Sequence, residues 1–204
     1  KIEGVLTEPD SSSKFSKIGY YHQRLKKYKK AIKYHKKAYK IDKGSANANK
    51  DLGFCYLSID KFKIALEYLT SANEIEPNNS ETIRSIGFCY SNTGDFNDAL
   101  KYYLQLEETS KNNCWLFNQI GKIYLELNNR SLALDYFLKA FEINSKNLSV
   151  LFSLGWYYFI SNEMERSKKW FNKILEIDKD NKNGTLYMNL GHIELCHKNK
   201  KNAC

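Results

Sequence analysis

A pentapeptide that returns every 34 residues decides the fold. It reads Leu52-Gly53-Phe54-Cys55-Tyr56, Ile86-Gly87-Phe88-Cys89-Tyr90, Ile120-Gly121-Lys122-Ile123-Tyr124 and Leu154-Gly155-Trp156-Tyr157-Tyr158. Ile18-Gly19-Tyr20-Tyr21-His22 stands as an earlier copy in the same register, and Gly191 follows Gly155 after 36 residues. Twelve residues beyond each of the first five glycines comes a small residue, Ala31, Ala65, Ala99, Ala133 or Ser167. Four further on stand His35, Leu69, Tyr103, Phe137 and Phe171, and three beyond those Ala38, Ala72, Leu106, Ala140 and Ile174.

Glycine inside a helix costs about 1 kcal/mol relative to alanine, so five at one phase need a packing reason. The spacing predicts two helices per unit that approach closely at the glycine, with the small Ala or Ser of the second helix opposite it. Tyr56, Tyr90, Tyr124 and Tyr158 are then placed to fill the wedge between neighbouring pairs. One pair cannot bury both of its faces, so the units must stack. The turns agree: Thr93-Gly94-Asp95 and Asn128-Asn129-Arg130 divide helices within a unit, and Pro77-Asn78-Asn79 divides one unit from the next.

On these residues the chain resembles the tetratricopeptide repeat family over about residues 12 to 198. Its departures are the family's late proline, kept only as Pro77, and its early tryptophan, replaced by Phe15, Asn49, Ile83, Phe117 and Leu151. The resemblance implies an all-α, right-handed superhelical solenoid of antiparallel helix pairs. The repeats are expected at 12–45, 46–79, 80–113, 114–147 and 148–183, with a partial sixth at 184–204 after a polar, poorly ordered tail at 1–13. The chain opens on Lys1 and not on Met, which reads as a fragment or processed product. The sixth unit, stopping at Cys204, reads either as truncated or as a terminal cap.

Composition bounds the function. With 2 prolines and 10 glycines in 204 residues, and 42% hydrophobic residues, the chain is neither collagenous nor disordered. No apolar run approaches the roughly 18 residues of a membrane span. The 5 cysteines form no CxxC pair, so neither a disulfide framework nor a zinc site is indicated, and a reducing cytosol fits best. His22 and His35 fall at the wedge and core-aromatic positions of the first unit. His192 and Cys196 share a helical face, but only His197 or Cys204 could add ligands, so no metal and no cofactor is expected. No catalytic constellation or phosphate-cradling loop is present, and the expected function is non-enzymatic.

In the family the first helix of each pair lines a concave groove. The position after each glycine reads Tyr20, Phe54, Phe88, Lys122, Trp156 and His192. Neighbouring groove positions add Trp115, Leu125, Phe152, Phe159 and Ile160 late in the chain, and Lys17, Arg24, Lys50 and Arg84 early, so the groove reads as basic early and apolar late. The helix 149–160 is apolar nearly all round and needs a cover, which is either the sixth-unit helix and its own aromatics or a partner's apolar side chain. Some family members hold a chaperone's C-terminal carboxylate in a clamp of Lys, Asn and Arg. The corresponding positions here are Ser16, Tyr20, Asp51, Glu81 and Ser85, and a shift by one unit recovers only Lys50, so that partner class is disfavoured.

Charge is uneven. From Lys14 to Lys43 there are twelve basic residues and one acid, Asp42, within a chain of net charge +9. Lys26, Lys29, Lys30, Lys33, Lys36, Lys37 and Lys40 gather on the second helix of the first unit. Such a face suits an acidic protein or an anionic lipid, or is merely solvated in a lysine-rich chain. Nucleic acid is disfavoured because there is little arginine for bidentate contacts. The reading is therefore a module that binds a protein or peptide segment with apolar anchors and acidic residues. Alternatives are a peripheral adaptor on the Lys26–Lys40 face, the docking arm of a larger enzyme, and a second copy of the chain as partner.

Overall fold

The computed structural model describes residues 9–202, with side chains through residue 195. Residues 1–8, most of the expected tail, lie outside the described residues. The described chain is helical throughout, with α1 Ser12–Arg24, α2 Tyr28–Ile41, α3 Ala46–Leu57, α4 Phe62–Ile75, α5 Ser80–Thr93 and α6 Phe96–Thr109. It continues with α7 Cys114–Glu126, α8 Arg130–Ile143, α9 Leu148–Ile160, α10 Met164–Ile177 and α11 Gly184–Asn202. These helices fall into two compact units, Lys1–Leu106 and Glu107–Cys204.

Two kinds of punctuation repeat with the 34-residue period. Ser11, Ser45, Asn79, Asn113 and Asn147 cap the first helix of each pair, each side-chain oxygen accepting an N–H from the opening turn. Such caps satisfy amides that the helix itself leaves unpaired. The turn inside each pair carries one residue in the left-handed region: Lys26, Asp60, Gly94, Asn128 and Asn162, with φ between 55° and 87°. Only glycine takes that conformation without strain, and Gly94 is the glycine among the five. Asn78, φ 69°, makes the turn between the second and third pairs.

The glycine contact differs in one respect from the sequence-based expectation. A Cβ on Gly19, Gly53, Gly87 or Gly121 would first meet the larger side chain four residues past the small one: His35 at 2.5 Å, Leu69 at 2.5 Å, Tyr103 at 2.7 Å and Phe137 at 2.6 Å. Phe171 lies over Gly155 in the same way. The alanine's role is to let the second backbone come near, as the carbonyls of Ala65 and Ala133 at 3.4 and 3.1 Å show. Each glycine is thus a socket for a bulky group whose ring or branch is fully buried. At Gly191 a Cβ would meet nothing within 4 Å.

The wedge residues stack inside their own pairs, on a ring of the second helix, and not between neighbouring pairs as the sequence suggested; Tyr158 instead meets Tyr157 edge to face at 5.3 Å. His22 stacks on Tyr34 at 5.4 Å, Tyr56 on Tyr68 at 5.8 Å, Tyr90 on Tyr102 at 5.8 Å and Tyr124 on Tyr136 at 5.5 Å. Stacked rings contribute about 0.5–1.5 kcal/mol beyond the area they bury. In the first unit Leu52, Tyr56, Ala65, Leu69, Ile86 and Cys89 form one core, and in the second Leu151, Phe171, Ile174, Leu186 and Ile193 form another. Cys55 and Cys89 are buried, and burial pushes both thiols up to about 12, as expected of small apolar fillers.

Candidate functional site

The exposed residues of the first helices fall into stripes. On α1 they include Lys17, Tyr20 and Arg24, and on α7 Trp115, Lys122 and Glu126. Spacings of three, four and seven place each set on one helical face. That face is the one left over after the glycine face has packed on the second helix of the pair.

In the first unit Tyr20 is 52% exposed. Lys17, Arg24 and Arg84 are exposed, while Lys50 is half-buried. Phe54 and Phe88 are half-buried: Phe54 packs against the first core, and Phe88 meets Phe62 edge to face at 6.2 Å. Asp51, on α3, reaches back to the preceding pair, its Oδ2 3.5 Å from Nδ1 of His35. The imidazole is fully buried, neither ring nitrogen has a hydrogen-bond partner, and desolvation lowers its pKa to about 4. Burial raises the Asp51 carboxyl to about 6.

In the second unit the neighbouring helices α7 and α9 carry the candidate anchors. Trp115 and Lys122 lie seven residues apart on α7, and Trp156 occupies on α9 the repeat position that Lys122 holds on α7. Asn118 of α7 donates from Nδ2 to Ser149 Oγ of α9 at 3.1 Å, tying the two helices side by side. The sequence demanded a cover for the apolar helix, and the structure supplies most of it. In α9 only Ser149 and Trp156 are exposed. Phe152 is half-buried and tilted against Phe171 at 5.5 Å. Phe159 stacks on Trp156 at 5.6 Å and meets His192 of α11 edge to face at 5.4 Å. Leu125 and Ile160 are half-buried.

Trp156 remains 38% exposed and Trp115 37%. Lys122 is exposed, yet desolvation by the surrounding protein lowers its ammonium pKa. An incoming carboxylate would raise it again.

The helical period alone does not separate Phe152 from Trp156, since both fall on one face at i and i+4. What separates them is Phe171: filling the Gly155 socket, it supplies Phe152 with a neighbour. Two shallow recesses lie elsewhere in the first unit. One of about 320 Å³ is lined by Lys26–Lys30 and Ile59, and one of about 350 Å³ by Asp60–Ile64, Asn92 and Thr93. They occupy equivalent turns one repeat apart, so they are features of the turn itself.

Among the described residues no group of three or more His, Cys, Asp and Glu could hold a metal. The side chains of Cys196, His197 and Cys204 lie outside the described residues. No described helix is long and apolar enough to cross a membrane.

The sequence profile of the tetratricopeptide repeat matches residues 16–45, 85–113, 116–147 and 148–181, more than half of the chain. The chain belongs to the tetratricopeptide repeat family. The pair α3 and α4 lies between the matched segments, but it keeps the Gly53–Leu69 contact and completes the series. No curated protein sequence matches the chain.

Solved structures share the fold. MamA residues 41 to the end, from Desulfovibrio magneticus RS-1, superposes with a TM-score of 0.79 at 13% identity, covering 85% of this chain and 98% of that one. YrrB, described as a tetratricopeptide repeat protein with an unusual peptide-binding site, gives 0.75 at 16% identity, with 93% and 96% covered. Pseudomonas aeruginosa PilF gives 0.74 at 16% identity, with 94% and 86% covered.

Proposed function

We propose that the chain is a non-enzymatic module that binds an extended or helical segment of a partner protein along its first helices. Trp115 and Trp156 would clasp an apolar side chain of the ligand in the second unit, above a floor made by Phe152 and Phe159. Lys122 would answer a neighbouring carboxylate. In the first unit Lys17, Arg24, Lys50 and Arg84 would pair with acidic residues around Tyr20, Phe54 and Phe88.

The observation that carries this reading is the exposure of Trp156, 38% on a helix whose other apolar side chains are all buried or half-buried. A large aromatic held by stacking on Phe159, with one face left to solvent, is pre-organised: it loses little rotamer freedom on binding, and such residues dominate interface energetics. That YrrB combines this fold with a peptide-binding site supports the reading by likeness of architecture.

The test is selection from a random twelve-residue peptide library displayed on phage against the immobilised chain. Enriched peptides should combine an aromatic or branched apolar anchor with Asp or Glu, and should be lost when Trp115 and Trp156 are both replaced by alanine. Enrichment that survives the double replacement would refute the reading.

A further inference from the structure

The second helix of the first pair differs from its counterparts in one property. Lys29, Lys30, Lys33, Lys36, Lys37 and Lys40 span about 120° of the α2 circumference at 3.6 residues per turn, and about 17 Å of its length. All six are exposed, on the side opposite the buried Ala31, His35 and Ala38.

The repeat supplies its own control. At the same six positions α4 carries one lysine against two glutamates, α6 one lysine against an aspartate and a glutamate, and α8 the same balance again. Even α10, the most basic of the later helices, offsets three basic residues with two glutamates. A general enrichment in lysine would have raised these helices too, and it has not. The nearby recess does not set α2 apart, because it recurs one repeat later.

Nor is the charge spent inside the fold. No ion pair joins any of the six to a carboxylate among the described residues. Lys36 lies 5.8 Å from the Tyr56 ring centre, and Lys37 4.9 Å from that of Phe15, while Lys29, Lys30, Lys33 and Lys40 make no such contact.

We propose that the α2 lysine stripe docks the chain onto an anionic membrane surface, through electrostatic adsorption and without insertion. Three features select that occupant. The lysines fan over an arc, so an extended acidic strand lying along the ridge would leave those at its edges unanswered. A charged plane acts on all of them within the screening length of about 8 Å. The stripe contains no arginine and no aromatic residue, which leaves nothing for bidentate or stacking recognition of nucleic acid. A second copy is a poor match, because no run of this sequence gathers enough acids to balance six lysines. Exposed Ile41 does not argue for insertion, since the equivalent Ile75 and Ile177 are exposed as well. This inference is independent of the peptide-binding reading, which concerns the first helices.

The test is sedimentation of the full chain with vesicles of 70% phosphatidylcholine and 30% phosphatidylserine, and with pure phosphatidylcholine vesicles. Each lysine near an anionic leaflet strengthens adsorption about fivefold. The triple variant Lys29→Glu, Lys33→Glu and Lys40→Glu, which spares the two ring-contacting lysines, should therefore lose on the order of a hundredfold or more in partitioning. A control with Lys111→Glu, Lys146→Glu and Lys179→Glu changes net charge equally and should lose less than tenfold. Raising the salt should release the wild-type chain, and both triples should keep its helical circular dichroism.

Equal losses in the two triples, binding to pure phosphatidylcholine, or binding indifferent to salt would each overturn the proposal. So would tighter binding of the wild-type chain to poly-glutamate or to a single-stranded oligonucleotide than to the anionic vesicles.

Discussion

Two alanine substitutions at the same repeat position should act in opposite directions. At Gly121 the added Cβ would stand 2.6 and 2.7 Å from Phe137 ring atoms, with the Ala133 carbonyl at 3.1 Å behind. Phe137 is fully buried, so its ring cannot swing out to solvent, and relief requires the two helices to move apart. Overpacking of this kind costs about 1–3 kcal/mol. The helix propensity gained by replacing glycine returns about 1 kcal/mol. The net effect of Gly121→Ala is a loss of up to about 2 kcal/mol, and Gly121→Leu should be worse.

At Gly191 the same Cβ meets nothing. Only the propensity term remains, and Gly191→Ala should stabilise the chain by up to about 1 kcal/mol. Urea denaturation followed by far-ultraviolet circular dichroism reads both, the midpoint falling for the first variant and holding or rising for the second. Equal effects of the same sign would refute the argument that the repeated glycine is a socket filled from the second helix.

Replacing His35 by Phe, the residue at that repeat position in two later pairs, removes a buried imidazole without hydrogen bonds and should add about 1 kcal/mol at neutral pH. The sign with pH follows from the depressed pKa: the unfolded chain takes up a proton below the ordinary value of 6.5, which the folded His35 refuses until about pH 4. His35→Phe should therefore gain on the wild type by a further amount, about 2 kcal/mol, between pH 7 and pH 5. Asp51, raised to about 6, works in the opposite direction and relieves the fold as pH falls. A difference between the two unfolding curves that stays constant over this range would contradict the assignment. Asn147 accepts from the amides of both Ser149 and Val150, so Asn147→Ala should cost about 1 kcal/mol, read in the same urea titration.

Much of this fold was legible because a repeat states its rules several times. The 34-residue register placed every glycine socket and aligned the repeated rings, but it did not say that each ring would stack inside its own pair. The left-handed turn residues were only half legible: Gly94 and Asn128 advertise a turn by residue type, whereas Lys26 and Asp60 do so only by their distance from those two. Their conformation comes from the closing of the helix pair, which outweighs the strain in a residue with a Cβ.

The site was less legible than the fold. Helical spacing put Phe152, Trp156 and Phe159 together but did not say which would stay open, since that depends on what fills the next socket and on the α11 side chain His192. The His35–Asp51 contact was invisible for a similar reason. It joins one pair to the next, and neither residue breaks the pattern of its own helix.

The measurement that bears most directly on the central claim is the Trp156→Ala variant, with its affinity for a phage-selected peptide and its unfolding free energy obtained on the same sample. The partly exposed Trp156 stacks on Phe159 without filling a socket, so its removal should weaken peptide binding by about 2 kcal/mol or more and cost the fold less than that. A loss of about 3–5 kcal/mol in stability, the range for truncating a core aromatic, with unchanged affinity in the folded fraction, would contradict it.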